Sequence, residues 1–92
     1  MVWKVNGYII TNQITIGDTE ILLGVHETQP NMFMTCECDV KDKAKSEREY
    51  SWEHYYTTLM EAQRDFCMRG INKADFYEQH HKKSKEPKEP ER

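Results

Sequence analysis

The chain has 92 residues, 37% apolar and 32% charged, with a formal charge of −3. That length suits one domain with a small core, 11% aromatic content argues against a wholly disordered chain, and no apolar run approaches the 18 residues of a membrane span. The charge is uneven: residues 1–56 hold five Lys/Arg against nine Asp/Glu, 57–81 three against four, and 82–92 five against three, so the body lacks the basic face of a duplex binder.

The first half reads as strands. Asn6-Gly7 separates VWKV from YIIT, and Asn-Gly between apolar runs signals a two-residue hairpin. Val5 then opposes Tyr8, and Trp3 opposes Ile10. The alternative is one bulged strand over 5–11 with its turn at Asn12-Gln13. A short piece at 14–16 and a Gly17-Asp18 turn lead to a second main strand over 19–27. There Ile21, Leu23 and Val25 share one face, and Glu20, Leu22, Gly24 and His26 the other. Gly24 in mid-strand suggests a bulge or a close approach.

Residues 32–40, MFMTCECDV, alternate with period two, the mark of a half-buried strand. Met32, Met34, Cys36, Cys38 and Val40 are expected to face a helix, and Phe33, Thr35, Glu37 and Asp39 to face outward. The charged stretch 41–49 reads as a solvated loop. Residues 50–56 return to strand composition, with Tyr50, Trp52, His54 and Tyr56 expected on one face.

From residue 58 the period becomes helical. Thr58 and Glu61 match a capping box, and Leu59, Met60, Gln63, Phe66, Cys67, Gly70, Ile71, Ala74 and Tyr77 recur at three- and four-residue steps. Asp65 and Arg69 form an i,i+4 pair. The stripe crosses Gly70 without a phase jump, which predicts one helix from about 58 to 80. The alternative makes Gly70 a C-cap with a second helix over 72–80. Residues 81–92 are Lys, Glu, Pro and Ser and are expected to be a disordered tail. The predicted fold is α+β: a single domain over 1–80, with a small antiparallel sheet of three to four strands packed on one C-terminal amphipathic helix.

The chemistry-bearing residues each have a plain structural explanation. Cys36 and Cys38 share a strand face with Cα atoms about 6.5–7 Å apart, at the limit for a disulfide. With Cys67 and a histidine they could ligate zinc, or serve redox chemistry. Zinc knuckles usually space cysteines by two residues on turns, so small core residues are the expectation. Three cysteines, and no apolar segment after Met1, point to free thiols in a reducing cytoplasm. His80-His81 reads as a solvated helix end, and His54 as a packed, hydrogen-bonded histidine, since a catalytic one would need a nucleophile or an orienting acid. No serine-nucleophile or phosphate-loop motif occurs. No catalytic residue, metal ligand or cofactor is assigned.

Asp18, Glu20, Glu27, Glu37 and Asp39 could form an acidic strip on the outer sheet, against an ordinary solvated face. Lys82, Lys83, Lys85 and Lys88, diluted by glutamates, read as a solubilising tail. The aromatic excess is more telling. Trp52, Tyr55 and Tyr56 cluster, with Trp3, Tyr8 and Phe33 on other strands, and not all can be core. An exposed aromatic patch beside acidic residues suits a protein partner better than nucleic-acid bases. Phe33, Glu37, Asp39, Glu53 and Tyr55 are the candidate contacts, and an open sheet edge would also suit a homodimer.

Three stretches, VNGYIIT at 5–11, GDTEILLGVHE at 17–27 and YSWEHYY at 50–56, resemble short proteins carried by mobile genetic elements of gut-type Gram-positive bacteria. The resemblance implies a plasmid, transposon or phage setting, where small acidic proteins often regulate host machinery. It implies no site residue. The functional expectation is a small non-catalytic cytoplasmic interaction protein, binding a protein partner or itself. The alternatives are an accessory module for nucleic acid, then a structural zinc protein or an enzyme. No membrane partner is expected.

Overall fold

A computed structural model describes residues 2–41, 43–44 and 47–85, the last five as backbone only. Five strands and one helix follow in order: β1 (Lys4–Val5), β2 (Tyr8–Ile16), β3 (Thr19–His26), β4 (Phe33–Asp39), β5 (Ser51–Tyr56) and α1 (Leu59–Lys85). The sheet is an antiparallel meander in the order β1-β2-β3-β4-β5. The α+β class is as expected, with five strands rather than three to four. Among the described residues no helix is long and apolar enough to cross a membrane.

The first hairpin forms as the sequence predicts. Asn6 and Gly7 both take positive φ (52° and 85°), Val5 pairs with Tyr8, and Ile10 N–H donates to the Trp3 carbonyl at 2.9 Å. The pieces expected at 8–11 and 14–16 join into a single strand, because a bulge at Thr11 carries the chain through. Two residues of β2 oppose one of β3 there, which shifts the alternation by one. Tyr8 and Ile10 therefore point to one face of the sheet, and Ile14 and Ile16 to the other.

The sheet curls until its ends meet. Asn6 Nδ2 donates to the Glu53 carboxylate (3.3 Å), Trp3 stands edge-on to Tyr50, and Tyr8 lies against Tyr55. The curl encloses an inner core of Tyr8, Leu22, Met34 and Cys36, flanked by Trp3, Val5, Ile10 and Tyr50. Gly24 gives the close approach expected of it: a Cβ would lie 3.1 Å from both the Ile9 carbonyl oxygen and the Tyr8 Cβ.

The helix lies on the outer face. Thr58 caps it, accepting the Glu61 N–H and donating its hydroxyl to the Glu61 carboxylate. α1 runs unbroken through Gly70 and continues beyond the expected end at 80 as far as Lys85. Nothing in 81–85 forbids helix, and the first residue that does is Pro87. The rest of the expected tail, 86–92, lies outside the described residues.

One expectation is reversed. Cys36 and Cys38 do not face the helix; they point into the inner core, and the Phe33, Thr35 and Glu37 face meets α1 instead. The apolar face of β4 is consumed by the sheet's own curl. The buried side of α1 is partly polar and takes the polar face of the strand. β3, between the two layers, is buried on both sides at Ile21, Leu22 and Leu23.

Gly70 follows from this packing. It is buried, but an added Cβ would sit 3.5 Å from Ile16, in ordinary contact. Gly70→Ala is therefore expected to raise unfolding stability by about 0.5–1 kcal/mol through helix propensity, read as a higher urea midpoint.

Candidate functional site

Arg69 organises the outer junction. Its residue is 8% exposed. Nη1 donates to Glu37 at 2.7 Å, Nε to Asp65 at 2.9 Å, and Nη2 to the Trp52 carbonyl. Asp65 also accepts the Thr35 hydroxyl, and Lys73 reaches Glu37 at 3.4 Å. The helix places Asp65, Arg69 and Lys73 at four-residue steps on one side, and β4 sets Thr35 and Glu37 two residues apart on one face. The two rows interlock.

Burial pushes the Asp65 carboxyl up, but the Thr35 hydroxyl and the Arg69 guanidinium outweigh it and hold it below the ordinary carboxylate range. Tyr56 moves the other way, its phenol pushed up by burial and by the adjacent Asp65 charge. His54 stands 3.6 Å from Asp65 with an exposed ring, not packed as expected.

β5 departs from the predicted alternation. His54 pairs with Thr35 and Ser51 with Glu37, so Trp52 and Glu53 together oppose Cys36. Trp52 is the first residue of this bulge, with φ 59°, a position where glycine is the usual occupant. The bulge splits the expected face. Tyr50 and Tyr55 turn toward the inner side, and Ser51, His54 and Tyr56 toward the helix. Trp52 projects into solvent, 73% exposed.

Beside Trp52 opens a cleft of about 360 Å³, bounded by Glu37, Asp39, Lys43, Glu49, Lys73 and Tyr77 among others. Of the candidate contacts, Glu37 and Asp39 therefore meet at one place. Glu37 is half-buried and engaged by Arg69 and Lys73; Asp39 is exposed and accepts the Lys41 N–H. Glu53 and Tyr55 lie on the inner side of β5, with Asn6 and Tyr8. Phe33 is half-buried at the far end of β4, paired with Val25 and Tyr56. Pattern alone places Trp52 in the aromatic cluster but not among the candidate contacts, and it passes over Arg69 as a site residue. Arg69 was visible as an Asp65 partner, but nothing in the sequence marks its burial.

The acidic strip does not assemble. Glu20 and Glu37 point to opposite faces, since Glu20 pairs with Cys38 and Ile21 with Glu37. Glu20, 2% exposed, accepts hydrogen bonds from Tyr50, Arg48 and Gln13 at the end of the inner core. Burial pushes the Tyr50 phenol up, and its bond to Glu20 adds to this. Glu27 pairs with Lys4 at 2.8 Å.

The cysteines are all free. Cys36 and Cys38 lie on the inner side, whereas Cys67 lines a groove between β2 and α1 on the other side of the sheet. The sheet thus separates the three thiols of the zinc alternative. Among the described residues no cluster of three or more His, Cys, Asp and Glu side chains converges on a metal position. Burial, with a smaller contribution from Glu53, pushes the Cys36 thiol up to about 12. Comparison with family models, curated proteins and solved structures finds no match to this chain.

Two outcomes follow from this chemistry. Native protein should react quickly with a thiol reagent at Cys67 only, with Cys36 and Cys38 reacting once urea unfolds the chain, as peptide mass mapping would show. Asp65 has a folded pKa below its unfolded value of about 3.9, so its contribution is complete above that value and is lost as pH falls through the folded one. The urea midpoint should therefore drop below about pH 4, and Asp65→Asn should show a shallower drop.

Proposed function

We propose that this chain is a small, non-catalytic, cytoplasmic interaction protein of mobile-element origin, which grips a partner protein with the β5 side of its sheet. The observation that supports this reading is Trp52. A tryptophan at positive φ is costly, about 1–3 kcal/mol, and a fold retains such a residue where its surroundings over-determine it. Here Arg69 holds the Trp52 carbonyl from the buried side, and the bulge turns the indole outward. Tryptophan is also the side chain most enriched at the energetic centre of protein interfaces.

The surroundings suit a polypeptide ligand. The adjoining cleft carries both signs of charge, from Lys43 and Lys73 to Asp39 and Glu49. Tyr55, 59% exposed, adds a second aromatic ring on the same strand. An extended segment crossing β5 would meet an aromatic anchor and a polar cleft that can pair either charge. Neither feature needs a bound group, and no reaction is required of the site.

The test is capture from a bacterial lysate by tagged wild-type protein, Trp52→Ala and the distant surface variant Gln63→Ala. A protein retained by wild type and Gln63→Ala but lost from Trp52→Ala supports the reading. An unchanged set of captured proteins with Trp52→Ala sinks it. In the same series Trp52→Gly should unfold at higher urea than Trp52→Ala, by about 1 kcal/mol, because glycine removes the cost of the positive φ.

A further inference from the structure

We infer that a second copy of this chain pairs with the free edge of β2, antiparallel, about a two-fold axis at Ile14. This surface is separate from the Trp52 site, and the inference does not depend on it.

β1 covers only the start of β2. It pairs with Tyr8 and Ile9, and one further bond joins Ile10 N–H to Trp3. Among the described residues, 12–16 pair with β3 alone. The exposed edge sequence, TNQITI over 11–16, has no charge and no proline, the devices by which edge strands normally resist pairing. The opposite edge has such devices. β5 is bent by the Trp52 bulge, and its Glu53 is bonded to Asn6 of the first hairpin.

Beside the β2 edge lies an open groove of about 430 Å³, lined by Ile14, Ile16, Phe66, Cys67 and Ile71 with no charged residue in its wall. Ile14 is 41% and Ile71 55% exposed. A chain of net charge −3 has a net repulsion for its copy. At this neutral edge and groove two copies meet without opposing like charges. A charged peptide finds no counter-charge here.

The register identifies the occupant. Residues directly opposite in an antiparallel pair share a face. Asn12, Ile14 and Ile16 face the helix side, and Gln13 and Thr15 the inner side. With Ile14 opposite Ile14 of the second copy, Asn12 meets Ile16 and Gln13 meets Thr15. Apolar side chains then meet at the axis, and amide meets hydroxyl on the inner side, a contact that Gln13 and Thr15 already make within the chain at 2.7 Å. A one-residue slip would bring Ile14 opposite a residue of the wrong face. The axis stands across the sheet, so both helices lie on one side and the two grooves cover each other. Such a contact is isologous and closed.

Sedimentation equilibrium or light scattering on the full chain reads this directly. Wild type should have twice the monomer mass at high micromolar concentration. Ile14→Lys and Ile14→Glu should each be monomeric with unchanged circular dichroism, and an equal mixture of the two should regain the doubled mass. A monomeric wild type, or an Ile14→Lys variant that keeps the doubled mass, overturns the inference. A mixture that stays monomeric overturns the register. If the charged variants fail to fold, wild type alone still decides: alkylation of Cys67 should slow several-fold as concentration rises, and a rate independent of concentration overturns the inference. A dimer of wild-type mass that no longer captures a partner after Trp52→Ala separates the two surfaces.

Discussion

Arg69 brings a permanent positive charge to a position with little water, and its donors there are met by protein acceptors. Two are carboxylates from different elements, Glu37 of β4 and Asp65 of its own helix, and the third is the Trp52 carbonyl of β5. Removing one member of such a buried cluster leaves an uncompensated charge, a loss on the order of 3–5 kcal/mol. That is a large share of the 5–15 kcal/mol typical of a native domain. The cluster fixes the helix over the last two strands and holds the Trp52 bulge in its unusual backbone conformation. The geometry of the exposed indole therefore originates inside the molecule.

Two bulges make the rest of the architecture possible. The one at Thr11 turns Ile10 inward and Ile14 outward, so a single strand serves both the inner core and the helix layer. The one at Trp52 does the same for Tyr50 and His54. Bulges also bend and twist a strand, and the five strands curl until Asn6 reaches Glu53. A flat sheet of this size would have one apolar face for the helix. The curled sheet has an enclosed core of its own and can afford a polar junction beneath the helix.

The same division explains the surfaces that remain. The curl and the Trp52 bulge break the β5 edge and leave it presenting an aromatic side chain and mixed charge. The short first strand does not follow β2 past Ile10, so among the described residues the later part of β2 keeps an open, neutral edge beside the helix. In a pair joined at β2, the two Trp52 side chains would remain outside the contact. Each copy would then raise the effective concentration of partner at the other.

Local chemistry made much of this legible from the amino acids. Asn6-Gly7 determined the hairpin and its register because both residues tolerate positive φ. Thr58 determined the helix start, and the stripe through Phe66, Gly70 and Tyr77 gave a single helix despite the glycine. The alternation of MFMTCECDV gave a strand and placed both cysteines on one face. Which face met the helix was a tertiary decision, because period two sorts side chains into two sets without saying what covers each. The bulges were equally hidden. Thr11 and Trp52 are ordinary strand residues, and long-range contacts with Leu23 and Arg69 help hold them there. The sequence by itself thus determined the first hairpin, the helix start and the stretches of strand alternation, through turn, cap and periodicity, while the joining of 8–11 with 14–16 into one strand came from pairing with β3. The tertiary structure decided which charges are buried and which aromatic ring is offered to solvent, since those depend on partners 17 to 32 residues away in the chain.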